Sequence, residues 1–112
     1  MAAEQLVQGK CTPCEGGVEP LKGDKLREIM SDISAEWQLV NDHHLHREFE
    51  FDDFRGALDF VNRVGQLAEE QNHHPDMCLS WGKAEVTLWS HKIDGLHRND
   101  FILAAKIDEL YS

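Results

Sequence analysis

"DDFRGALDFVNRVGQLAEEQ", Asp52 to Gln71, is the stretch that decides the fold. Phe54, Ala57, Leu58, Val61, Val64 and Ala68 recur at three- and four-residue intervals. That spacing lays one apolar stripe along roughly five helical turns, with Asp52 placed to cap the start. The stripe runs out in "NHHP", Asn72 to Pro75, where the proline forbids further helix. His73 and His74 therefore stand at the exit of a long helix into the next element.

On both sides of this helix the apolar period changes from helical to alternating. Upstream, "EWQLV", the turn-prone "ND" and "HHLHREFEF" predict a hairpin, with Leu45, Arg47 and Phe49 on one face and His44, His46, Glu48 and Glu50 on the other. Downstream, "DMCLSW", a turn at Gly82 and Lys83, and "AEVTLWSH" predict a second hairpin. Its Ala84, Val86 and Leu88 point one way and Glu85, Thr87, Trp89 and His91 the other, with His91 expected to end the last strand.

Two more amphipathic segments flank these hairpins. In "LKGDKLREIMSDI", Leu26, Ile29, Met30 and Ile33 share a face behind Asp24. From about Asp100 to Tyr111, Leu103, Ala104, Ile107 and Leu110 do the same, with Asp100 near the positive end of the helix. The element order is α-ββ-α-ββ-α. It predicts an α+β two-layer sandwich, a four-stranded antiparallel sheet with the helices on one face. Such a sheet leaves two unpaired edges, so a homo-oligomer, dimer or tetramer, is expected to cover them. Trp89 on the outer face adds weight to that, although one tryptophan is more often local packing than an interface.

With 112 residues, 41% of them hydrophobic, the chain has room for one core. We expect a single domain over residues 21–112 behind a flexible leader, residues 1–20, that carries "CTPC". No apolar run approaches the roughly 20 residues of a membrane span, and "MAAEQLVQGK" does not read as a secretory signal. The expected address is the cytoplasm. Cys11, Cys14 and Cys78 are an odd set that suits a reducing compartment, and Cys11 with Cys14 supplies half of a structural zinc site. Those thiols read as incidental or weakly metal-binding. A formal net charge of -10 argues against direct nucleic-acid binding, which depends on positive charge.

The candidate chemistry lies in the histidines. His44 and His46 share a strand face but are only two imidazoles without a nearby third ligand, so no metal is expected. His73, His74 and His91 come from the ends of two different elements that could face one cleft, with Glu69 and Asp100 available to hold ring nitrogens. Adjacent histidines can also simply cap a helix C-terminus, where an imidazolium is favoured. That accounts for one of them and leaves the others. The chain contains no GxSxG, GxGxxG or P-loop pattern, so proton transfer is the chemistry that remains.

Glu69, three residues, "HHP", then Trp81, "SH" at 90 and 91, and Asp100 together resemble the signature of the pterin-4a-carbinolamine dehydratases. "WSHKIDGLHRNDFILAAKIDE" is similar to the bacterial members, and the resemblance covers about residues 20 to 112. It implies an enzyme that removes water from 4a-hydroxytetrahydrobiopterin to give quinonoid dihydrobiopterin, in tetrahydrobiopterin recycling. It further implies a catalytic set of His73, His74, His91 and Asp100, with His73 and His91 as acid and base flanking C4a and His74 orienting the pterin. Glu69, Asn72, Trp89 and Ser90 form the implied substrate-binding set. An imidazole, with an ordinary pKa of about 6.5, can give or take the proton at neutral pH. Neither a metal nor an organic cofactor is implied. The competing reading is a non-enzymatic pterin-binding or protein-interaction module, similar to the dimerisation role of animal relatives. A different physiological pterin, such as one connected with molybdopterin enzymes, also stays open.

Overall fold

A computed structural model describes residues 2–11 and 19–111, with side chains from Gln5 onward. Cys14 and the rest of "TPCEGGV" lie outside the described residues. The elements run α1 (Ala2–Gln8), α2 (Gly23–Met30), β1 (Gln38–Val40), β2 (His44–Glu50), α3 (Phe54–Gln71), β3 (Asp76–Ser80), β4 (Lys83–Leu88), a 3-10 turn (His91–Ile93) and α4 (Arg98–Tyr111). The strands form one antiparallel sheet in the order β1-β2-β4-β3. The predicted α+β architecture is the observed one.

Alternation along the two central strands explains the layers. Leu45, Arg47 and Phe49 of β2 and Ala84, Val86 and Leu88 of β4 are all buried, in register with one another, while their chain neighbours face outward. Against them packs the stripe of α3, which is rotated slightly from the predicted one. Phe60 joins Ala57, Val64 and Ala68 in the core, and Phe54 is left 43% exposed. The N-cap is Asp53, one residue later than expected, its carboxylate accepting from the Gly56 N–H at 2.8 Å. At the other end Asn72 takes a left-handed conformation (φ 52°). Its N–H donates to the Glu69 carbonyl at 3.3 Å and the His73 N–H to the Ala68 carbonyl at 3.2 Å, which ends the helix before Pro75 is reached.

The first turns of α4 are buried on every side rather than on one face: Phe101, Ile102 and Ala105 are enclosed along with Leu103, Ala104 and Ile107. Apolar residues all round those turns need cover on more than one side. The second cover is α1, within the segment expected to be a flexible leader. Leu6 of α1 is 1% exposed, Lys106 donates to the Val7 carbonyl at 2.6 Å, and a Cβ on Gly9 would stand 3.2 Å from Ile102 Cδ1. That part of the leader is therefore packed structure.

Two turns depart from the expected positions. The second hairpin turns at Trp81 and Gly82 (φ 69°), with Ser80 paired to Lys83, which leaves Trp81 73% exposed. β4 ends at Leu88, so His91 does not end a strand but starts the 3-10 turn. An isolated bridge between Ser90 and Gly95 closes this loop, and Asp94 within it has φ 50°. Gly95 must lack a side chain, because a Cβ there would stand 2.6 Å from Pro20.

Candidate active site

Asp100 is the residue on which the histidine segments meet. Its carboxylate is fully buried near the start of α4, where the helix dipole favours a negative charge. Oδ1 accepts from His73 Nε2 at 2.6 Å. Oδ2 accepts from the Ser90 hydroxyl at 2.8 Å and from the His97 N–H at 2.9 Å. His73 arrives from the end of α3 and Ser90 from the chain just before His91, so this one carboxylate ties together the two segments that carry the expected acid and base.

The same contacts set a tautomer. A carboxylate only accepts, so the contact holds a proton on Nε2 of His73 and leaves Nδ1 facing away from Asp100. His97 is held in the opposite sense. Its Nδ1 accepts the Asn99 N–H at 3.1 Å while its own N–H goes to Asp100, a reciprocal cap that locks the first turn of α4. His97 was not singled out from the sequence, although an acid three residues beyond a possible N-cap is the spacing that could have revealed it.

His74 and Glu69 form a second pair, through His74 Nε2 and Glu69 Oε2, on the exposed side of the junction. Asn72 contributes the left-handed turn that lets both histidines follow the helix. His91 is exposed, and its ring stacks on Trp89 with centroids 3.9 Å apart and planes at 29°. Trp89 also meets His43, centroids 4.5 Å apart, and His43 Nε2 lies 2.8 Å from Asp94 Oδ1. Thus His43 and Asp94 buttress the stack that carries His91. Sequence reasoning missed both, because one comes from the first hairpin turn and the other from the loop after His91.

His43 Nδ1 is 3.1 Å from His44 Nδ1. The loss of solvent, and then the neighbouring His43 and His46, push His44 below the usual imidazole range.

The N-terminal segment also reaches this region. The Cys11 N–H donates to Gln71 Oε1 at 3.0 Å and its thiol to the Asn99 carbonyl at 3.5 Å. Burial, and then the nearby Asp100 charge, raise the Cys11 thiol from 9.0 to about 11. A thiol so placed is protonated at neutral pH, which suits packing and not nucleophilic or redox work.

A concavity of about 600 Å³ is lined by Glu36, Gln38, His46, Arg47, Glu48, Glu50 and Tyr111. It contains neither Asp100 nor its partners, so its size does not make it the place for proton transfer.

The family model described as pterin 4 alpha carbinolamine dehydratase matches residues 19–110. A provisionally named pterin-4-alpha-carbinolamine dehydratase of Rubrobacter xylanophilus is 57% identical over 106 residues, 95% of this chain and 98% of the relative. One of the same name from Alkaliphilus metalliredigens is 51% identical, covering 96% of each chain. A crystal structure from Brucella melitensis, described as a transcriptional coactivator/pterin dehydratase, superposes with a TM-score of 0.77 at 26% identity, covering 84% of this chain and all (100%) of the other. The fold and these matches define a dehydratase of the hydro-lyase class. The chain belongs to the pterin 4 alpha carbinolamine dehydratase family.

Proposed function

We propose that this protein dehydrates a pterin 4a-carbinolamine, with 4a-hydroxytetrahydrobiopterin as the reference substrate, by histidine acid–base catalysis. The observation that carries the proposal is the single buried carboxylate, Asp100, holding His73 by one oxygen and the Ser90–His91 segment by the other. Family membership supports the reaction class, and this geometry supports the division of labour among the residues.

In the reaction the C4a–O bond breaks, the departing hydroxyl takes a proton and leaves as water, and N5 gives up its proton as the C4a–N5 double bond forms. One imidazole of the pair His73 and His91 supplies the first proton and the other receives the second. Asp100 fixes the proton of His73 on Nε2, so Nδ1 is the nitrogen presented to substrate, and the carboxylate offsets the charge when Nδ1 is protonated. His91 has its ring plane set by stacking on Trp89. His74, steadied by Glu69, and the polar groups of Asn72 and Ser90 orient the pterin. Two positioned groups suffice in magnitude: each is worth about 100- to 10,000-fold, and a carbinolamine already loses water readily. No step calls on a metal or organic cofactor. Tetrahydrobiopterin recycling is the role that fits this product, and a homo-oligomer covering the sheet edges is the expected assembly.

The test is the absorbance change of a freshly generated carbinolamine with wild type, His73→Ala and His91→Ala. Acceleration by wild type, reduced at least 100-fold in each variant, supports the reading. A wild type that gives no acceleration overturns it and leaves the interaction-module reading.

A further inference from the structure

We propose that His46, Glu48 and Glu85, on the open face of the sheet, bind a single divalent transition-metal ion. The site is separate from the Asp100 cluster and does not depend on the proposed reaction.

The register brings these side chains together. Glu48 of β2 is directly opposite Glu85 of β4, and His46, two residues before Glu48 on the same face, is opposite Thr87. One donor atom from each of His46, Glu48 and Glu85 lies within 4.8 Å of the others. His46 Nε2 is already 3.6 Å from Glu85 Oε1. Nitrogen and oxygen ligands about 2.0–2.2 Å from zinc sit roughly 3.4 Å apart around a tetrahedron. His46 and Glu85 are therefore near the required separation, and Glu48, with a half-exposed side chain, has room to close the rest.

Two further features point to a cation. Like charges directly opposite across an antiparallel pair repel, so Glu48 against Glu85 disfavours the sheet unless positive charge lies between them. Lys83 supplies only a loose compensation, 3.9 Å from Glu48. The imidazole is also aimed. His46 Nδ1 is 3.0 Å from Thr87 Oγ1, a contact that can hold the proton on Nδ1 and leave the Nε2 lone pair toward the two carboxylates. A hollow of about 170 Å³, bounded in part by His46, Cys78, Glu85 and Thr87, opens beside the cluster and has room for the water ligands a three-residue site needs. Sequence alone could not assemble this set. His44 shares the strand face with His46, but the completing ligand, Glu85, comes from a strand that follows α3.

The experiment is a Co²⁺ titration of the full chain at neutral pH, followed by amide NMR. The expected result is saturation at one ion per chain, with paramagnetic shifts centred on His46, Glu48, Glu85 and Thr87. Glu85→Gln and His46→Gln should each weaken binding at least tenfold, and Lys83→Met should strengthen it a few-fold by removing the competing charge. Well-dispersed variant spectra establish that these surface substitutions leave the fold intact. Should any of them not fold, the wild-type shift pattern alone decides. No saturable shifts, shifts centred instead on His43, His44 and Asp94 or on His73 and His74, or unchanged affinity in a folded Glu85→Gln variant would each overturn the proposal.

Discussion

His73 and Asp100, 27 positions apart in the chain, meet through a 2.6 Å contact between an imidazole N–H and a fully buried carboxylate. The carboxylate serves three donors at once, so it can be dissected by substitutions that separate chemistry from folding. Asp100→Asn keeps the shape but no longer dictates the His73 tautomer. We predict a fall in kcat of about 100-fold or more with KM changed far less, measured by single-turnover absorbance. Asp100→Ala also strands the Ser90 and His97 donors and should cost about 2–4 kcal/mol in urea denaturation.

Arg47 and Asp108 make an inward-facing ion pair, at 2.7 Å, and Trp37 Nε1 donates to the same carboxylate oxygen at 2.8 Å. Burial raises Asp108 above the usual carboxylate range, while its Trp37 and Arg47 partners pull it back. The guanidinium also lies over the Phe49 ring, 4.4 Å from its centroid. Arg47→Ala is predicted to destabilise the fold by about 3–5 kcal/mol, because it leaves Asp108 without its counter-charge. Asp108→Asn should cost less, since neutralising that side chain also relieves its desolvation.

Leu6 tests whether the N-terminal segment belongs to the core. Leu6→Ala should lower stability by about 2–4 kcal/mol, the range for emptying a buried leucine site. An exposed leader would give a change near zero in the same denaturation curve.

The Cys11 thiol gives a pH dependence with a defined sign. Its folded-state value is raised from 9.0 to about 11, so the unfolded chain loses this proton first and stability falls as pH rises through that interval. Below about pH 9 the contribution is complete, and above about pH 11 it is gone. Cys11→Ser removes the titrating group. Between pH 8 and 11 the wild type should therefore lose on the order of 1–2 kcal/mol more than the variant does, once the shift is discounted for partial exposure.

Much of this architecture was legible because burial on one face imposes a period. The alternation of Leu45, Arg47 and Phe49 against His44, His46 and Glu48 specified β2, down to which side is buried. The helix ending at Asn72 was equally readable from its stripe and from Pro75. What escaped the sequence depends on contacts between distant segments. α1 has seven residues and only Leu6 and Val7 as large apolar side chains, too short a segment to hold a helix without the α4 surface beneath it. The stack of His43, Trp89 and His91 requires the first hairpin turn to sit beside the loop after β4, which no local pattern encodes. Of the candidate site, His73, His74, His91, Glu69 and Asp100 stood out by residue type and position, and Asn72, Trp89 and Ser90 only through the family resemblance. The convergence of His73, Ser90 and His97 on one carboxylate was not, because it depends on where α4 begins.

The most direct measurement for the central claim is a crystal structure of the full chain with a non-reacting reduced-pterin analogue bound. The account predicts that C4a and N5 lie between His73 and His91, with His73 Nδ1 facing the ring and Nε2 still on Asp100. A pterin bound on the open sheet face, or a His73 ring turned off Asp100 with no contact to the ligand, would contradict it.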